Sequence, residues 1–391
     1  MNTDTDHLAW LRTADGGLRL GADPVPHRPA DRALRILRVG ICGTDLQIQR
    51  GVRPDGAAVL GHEGLAEYRT PAGVHRVLFN PVDPDDQDHI LGHSHDGVLR
   101  RRYPAPGSGE LATAADPVLR GLVPARPDLA ADLAALVEPL GAVLYGWDLL
   151  DTCGPAGRAA VWGSGTTAVL AALVGELRGT AMTLVHGRPE RLAWLRRREV
   201  LADTRLSTGP PAAGLGAAFV CLPREAAGAA LRQALTALGD EGAVDLFGGF
   251  GTGGTHELTG GLDLNSVRRA NICGSSPATA LPVRLPSGGL VRLTGHRGTS
   301  ADHLRRAQDL LVEHPRRFGR VLSHVVPLES AGPVLRSMAA DRPGRRLLGT
   351  GPDGTEVRGE HLKVLVDPTL PAGPGREPDL VTTVAELPPG C

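Results

Sequence analysis

Two short strings carry the first chemistry in this chain. Gly-Ile-Cys-Gly-Thr-Asp occupies positions 40–45, and Gly-His-Glu-Gly occupies 61–64. Cys42 offers a thiolate, His62 an imidazole and Glu63 a carboxylate. These are ligand types that zinc takes, and three protein ligands leave a fourth position open for catalysis. Thr44, two residues after the cysteine, can pass a hydroxyl proton toward solvent. Asp45 can accept from the second ring nitrogen of His62 and fix its tautomer. Plainer readings exist: an unpaired cysteine is often a small buried hydrophobe, and His62-Glu63 could sit in a capped turn. The order of the strings, with the turn-rich Pro54-Asp55-Gly56 between them, favours a metal.

A third string, Gly163-Ser164-Gly165-Thr166-Thr167-Ala168, is placed to hold a phosphate. It follows the apolar run Ala159–Trp162 and opens an apolar helix through Leu177. Gly163 permits a tight turn, Gly165 lets the backbone approach a pyrophosphate, and Ala168 keeps helix and strand close. An ordinary strand-to-helix turn would look similar in isolation. A second strand about 20 residues on, Thr183–Val185, makes a bound dinucleotide the better reading. At the end of that strand, His186-Gly187-Arg188-Pro189-Glu190-Arg191 lacks an acid where NAD enzymes bind ribose hydroxyls. Arg188, helped by His186 or Arg191, can instead pair with a 2′-phosphate. NADP(H) is therefore expected over NAD(H), with a solvated Arg188 as the plainer alternative.

The elements that must position these residues fall into two textures. The first 150 residues are rich in glycine, proline and short β-type runs such as Leu34–Val39, which suggests an irregular, mostly β unit with functional loops. From Arg158 strands and helices alternate. Pro189–Val200 reads as a helix, and Ala217–Leu222 and Gly242–Phe247 as strands, which together imply a doubly wound parallel sheet. Segment 251–290 reads as loop. Leu290–Thr294 then reads as a strand, Ala301–Glu313 as an amphipathic helix, and 320–367 as a return to β-type runs.

With 391 residues, the chain is long enough for two domains. A formal net charge of −1 gives no reason to expect a nucleic-acid or membrane-surface partner. Its five cysteines are scattered without a CxxC pair, which argues against a disulfide framework. The start, Met1-Asn2-Thr3-Asp4-Thr5-Asp6, is unlike a signal peptide, and no apolar run is long enough for a membrane span, so a cytoplasmic location is expected. Lys363 is the only lysine, so Schiff-base chemistry would have to rest on it.

Taken together, the strings resemble a zinc-dependent medium-chain dehydrogenase/reductase, nearest the sorbitol, threonine and polyol dehydrogenase branch. The resemblance runs from about residue 8 to 367 and includes Asp96-Gly97, Val137-Glu138-Pro139-Leu140, Asp245–Gly249, Gly295-His296-Arg297-Gly298 and Leu362-Lys363-Val364. It implies an α/β architecture, with a GroES-like irregular β catalytic domain (1–148 and 296–367) and a Rossmann cofactor domain (149–295). A tail would follow at 368–391. It further implies that Cys42 and His62 ligate zinc, that Glu63 is a ligand or immediate neighbour, and that Glu138 lies close to the metal and coordinates it directly or through water. A homodimer or homotetramer acting on a small-molecule substrate is the family habit.

Three departures refine the expectation. Many relatives hold a second, structural zinc with four closely spaced cysteines, yet none lies between 43 and 152 here, and the acidic stretch Asn80–His89 takes their place. One catalytic zinc and no structural zinc are expected. Gln47 stands where relatives often carry a histidine that ends the proton relay; glutamine hydrogen-bonds but does not titrate. His93 or His95 is then a candidate proton exit, and His95 a candidate substrate contact. Finally, the chain is extended over 273–291, followed by Arg297, where relatives often put an arginine near substrate and nicotinamide.

The expected activity is interconversion of a secondary alcohol and a ketone on a polyol, cyclitol, sugar or amino-alcohol. Two alternatives stay open: a redox-neutral epimerase or eliminase with tightly held NAD(P), and a non-catalytic dinucleotide-binding member.

Overall fold

Nearly every residue of the strand Ala33–Ile41 is buried, as its apolar run requires of a central strand. It runs antiparallel to Glu63–Thr70 on one side and Lys363–Asp367 on the other. These three strands form the middle of an eight-stranded sheet that also contains Leu322–Pro327 and Gly73–Leu78. The computed structural model describes residues 7–23, 33–83, 85–86, 88–105, 117–251, 253–340, 347–350, 356–371 and 385–386. The expected C-terminal tail thus lies largely outside the described residues.

The chain divides into two units, one comprising Met1–Glu138 with Leu304–Cys391 and the other Pro139–His303. The first is built around the sheet just described. Its core joins Trp10, Ile36, Val39 and Phe79 to Val334, Leu335 and Val364. The helix Leu328–Ala340 closes this core, in a segment whose sequence suggests only β-type runs. Pro333 lies inside it, and Leu328, Ala331, Leu335 and Met338 are buried along one face. Gly332 packs directly on Trp10, where a Cβ would overlap the indole.

The second unit is the expected doubly wound sheet. Its strand order is Arg205–Ser207, Ala181–Val185, Arg158–Trp162, Leu215–Val220, Leu238–Asp245, Leu290–Thr294 and Leu281–Arg284. All pairings are parallel except the last. The order reverses beside Arg158–Trp162, and the C-terminal ends of the strands at such a reversal are where open α/β sheets take ligands. The segment expected to be loop, 251–290, contains the helix Leu264–Arg269 and the strand Leu281–Arg284. The extension therefore folds back as a hairpin on Leu290–Thr294 and adds an antiparallel edge strand. No helix among the described residues is long and apolar enough to cross a membrane.

Candidate active site

Strand register brings the first two strings together. Gly40 pairs with Glu63 across one ladder and with Leu365 across the next. The chain then leaves the strand, and Cys42 caps the helix Gly43–Gln49. Asp45, in the first turn of that helix, accepts from the Cys42 N–H at 2.8 Å and from the Gly61 N–H at 3.2 Å. One buried carboxylate thus pins both backbone segments that bear donor side chains. Asp45 Oδ1 lies 3.8 Å from His62 Nδ1, too far for the hydrogen bond expected from the sequence. Asp45 therefore orients the two segments and acts on the imidazole through charge alone.

Glycines make the room. Gly61 adopts φ +89°, and a Cβ at Gly97 would overlap the Gly61 carbonyl. Next to it, Asp96 accepts from the Ala58 and Val59 N–H groups at 2.7 and 3.1 Å. The Asp96-Gly97 pair is therefore the shelf on which Gly61 and His62 rest. A Cβ at Gly40 would overlap the Glu63 carboxylate, so only glycine leaves space for it there.

Cys42, His62 and Glu63 each direct one donor atom toward the others, all within 4.8 Å. Among the described residues, this is the one group of three or more metal-capable side chains found so close. His62 and Glu63 are 5% and 1% exposed, and His62 Nδ1 and Glu63 Oε1 are buried without a hydrogen-bond partner. Lys363 Nζ pairs with Glu63 Oε2 and donates to the Ile41 carbonyl at 3.1 Å. Burial opposes charge on His62, but Cys42, Asp45 and Glu138 outweigh it and push the imidazole pKa up to about 10. Desolvation, aided by Glu63 and Asp45, pushes the Glu138 carboxyl up to about 7 against the opposing pull of His62 and Lys363. The soft sulfur, imidazole and buried carboxylate fit zinc. A metal ion binding there would have to displace the His62 proton.

The turn expected to hold phosphate, Gly163–Ala168, lies in the second unit. Gly163 has φ +136° and sits against the Cys221 carbonyl, where a Cβ would come within 2.5 Å. Gly165 caps the helix Thr166–Leu177, and a Cβ there would meet nothing within 4 Å. Open space beside a helix N-terminus suits a pyrophosphate. The Thr167 side chain hydrogen-bonds the Cys221 thiol, whose pKa burial pushes well above the usual range. His186 Nδ1 accepts from the Arg188 N–H at 3.3 Å, and Arg188 caps the helix Pro189–Arg198.

No family model matches the chain. A glucose 1-dehydrogenase of Thermoproteus tenax is 31% identical over 194 residues, a match covering 44% of this chain and 55% of that protein. The match thus spans little more than half the length of that relative. Three solved structures each overlie 92% of this chain. A Sinorhizobium meliloti protein described as a zinc-binding dehydrogenase, bound to NADP, gives a TM-score of 0.65 at 18% identity over 99% of its length. Galactitol-1-phosphate dehydrogenase of Escherichia coli gives 0.63 at 16% over its full length, 100%. Acetophenone reductase of Geotrichum candidum, in complex with NAD, gives 0.62 at 13% over 97%. The chain has the fold of the medium-chain dehydrogenase/reductases.

Within that fold the remaining expected residues scatter. Thr44 and Gln47 lie half-buried on the helix that Cys42 caps. His95 is exposed, against His89 and Ser94. His93 is the buried one, with its ring centroid 4.8 Å from that of His62. Burial holds its imidazole well below the usual range, aided by His62 and Arg53. Arg297, half-buried in the second unit, exchanges backbone hydrogen bonds with Asn271 and Cys273. Arg191 is fully buried behind Ser164. Lys363, the ion-pair partner of Glu63, is a site residue that spacing alone does not identify, although its being the one lysine in an arginine-rich chain is a signal.

Proposed function

We propose that this protein is a zinc-dependent NAD(P)(H) oxidoreductase that interconverts a secondary alcohol and a ketone, with NADP(H) preferred. The observation that carries this reading is the Cys42–His62–Glu63 donor set within 4.8 Å, with Cys42 half-buried and His62 and Glu63 buried. Similarity to a glucose 1-dehydrogenase and to the fold of a galactitol-1-phosphate dehydrogenase supports a polyol, cyclitol, sugar or amino-alcohol as substrate class. When bound, zinc supplies Lewis-acid polarisation of the reacting oxygen, and the nicotinamide supplies or takes up the hydride.

Cys42 and His62 would hold the metal with Glu63, while Lys363 keeps one oxygen of Glu63 occupied. Glu138 stands close enough to act on the same charges. The Thr44 hydroxyl is the group beside Cys42 able to pass the substrate's hydroxyl proton outward. Gln47 cannot titrate, so the proton leaves through water or another group. Gly163, Ser164, Gly165 and Thr166 would hold the pyrophosphate, and Arg188 with His186 would pair with a 2′-phosphate. Arg297 is the candidate for orienting substrate or cofactor.

The test is a dehydrogenase assay on zinc-loaded protein with a panel of polyols, cyclitols, sugars and amino-alcohols, each with NADP+ and with NAD+. Cofactor reduction by at least one of them, lost on chelation and favouring NADP+, is expected. Turnover that survives complete zinc removal would contradict the reading. Equal or better use of NAD+ would contradict the role given to Arg188.

A further inference from the structure

We propose that Arg191 is the positioning residue of the phosphate turn, acting on the pyrophosphate shared by NAD and NADP and not on the 2′-phosphate. This rests on the reading that Gly163–Ala168 holds a dinucleotide.

Arg191 stands on the helix Pro189–Arg198, directly after the strand whose end faces the adenosine half of a dinucleotide. Its position makes it look like a 2′-phosphate ligand. Its side chain points elsewhere. The residue is 0% exposed, so no ligand can reach its guanidinium from solvent. Nη2 donates to the Ser164 carbonyl at 2.6 Å, and Nε donates to Ser164 Oγ at 3.3 Å. The guanidinium carbon also lies 4.5 Å from the centre of the Trp194 ring, which stacks on it from the same helix.

Ser164 is the residue between the two glycines of the turn. A trans peptide is planar, so its C=O and the following N–H point in opposite directions. Holding the Ser164 carbonyl toward Arg191 therefore aims the Gly165 N–H the other way. Gly165 caps the twelve-residue helix Thr166–Leu177, on the side where a Cβ would meet open space. Two effects favour an anion there. A carbonyl that would repel phosphate is turned inward and paired. The arginine, which stays charged at all working pH values, adds positive potential behind the helix N-terminus. Arg188 and His186 are left as the groups that can tell NADP from NAD.

The test is equilibrium binding of NADPH, NADH, ADP and adenosine to the full chain, with thermal melting in parallel, for wild type, Arg191→Met, Arg191→Lys and Arg188→Met. Arg191→Met should weaken NADPH, NADH and ADP by a common factor of about tenfold or more, the scale of a lost charged hydrogen bond. Adenosine, which has no phosphate, should bind as before, and Arg191→Lys should recover part of the loss. Arg188→Met should weaken NADPH alone. If Arg191→Met fails to fold, Arg191→Lys and Trp194→Leu carry the comparison, each with a smaller common loss. A loss confined to NADPH, no loss at all, or an equal loss for adenosine would overturn the inference while leaving the cofactor reading intact. Wild-type protein that binds neither dinucleotide would overturn the cofactor reading itself, and the inference with it.

Discussion

At the scale of single residues, the candidate metal centre is a problem in buried charge. Cys42, Asp45, Glu63 and Glu138 are acidic or thiol groups, set against one lysine and one imidazole. Lys363 and Glu63 are each 1% exposed, so neither can be solvated if the other is removed. Lys363→Met should therefore destabilise the protein by about 3–5 kcal/mol, the usual cost of leaving one buried charge unpaired. A chemical denaturation midpoint reads this directly, and an unchanged midpoint would mean that Glu63 finds another partner. The charge set also fixes a pH dependence for metal-free protein. Glu138 is raised from 4.5 to about 7, and His62 from 6.5 to about 10. Both favour the protonated form in the folded state, so their contributions are fully present below the unfolded values and lost as pH rises through the folded ones. Metal-free melting temperature should fall as pH rises from about 5 to 10 for this reason. Zinc binding should strengthen over the same range, because the metal competes with the His62 proton. A melting temperature rising with pH, or one left unchanged by Glu138→Gln, would contradict this.

At the scale of elements, what was legible in the sequence was what has a local signal. Strand Leu290–Thr294 and helix Ala301–Glu313 match the sequence expectation end to end, since each is a compact run with one clear period. The helix Leu328–Ala340 was missed because Gly332-Pro333 in its middle reads as a break. Its glycine has a tertiary purpose, giving the Trp10 ring a seat that no local pattern encodes. Gly332→Ala should cost about 1–3 kcal/mol by overpacking, although alanine is the better helix former. A neutral or stabilising result in a thermal melt would show that the ring can move aside. The strand Leu281–Arg284 was hidden for another reason: Pro282 and the surrounding glycines and serines look like loop, yet an edge strand tolerates a proline. Side-chain direction was least legible of all. Spacing put His93 and His95 on equal terms, and only the folded loop sends one beside His62 and the other to the surface.

At the scale of the whole molecule, the two candidate sites fall in separate units. The donor set belongs to the first, assembled from residues 42, 62 and 63, with Lys363 arriving from the far end of the chain. The Gly163–Ala168 turn proposed to hold phosphate belongs entirely to the second, where Arg191 donates to the Ser164 carbonyl. Each ligand should therefore stabilise the folded chain through its own unit by mass action, about 2.7 kcal/mol at a hundredfold excess over Kd. The measurement that bears most directly on this account is metal content of purified wild type and Cys42→Ser, paired with NADPH binding to both. The account predicts a single zinc per wild-type chain, lost in Cys42→Ser, with NADPH still bound by the variant. Zinc retained by Cys42→Ser, or wild-type protein that takes up no zinc at all, would contradict it.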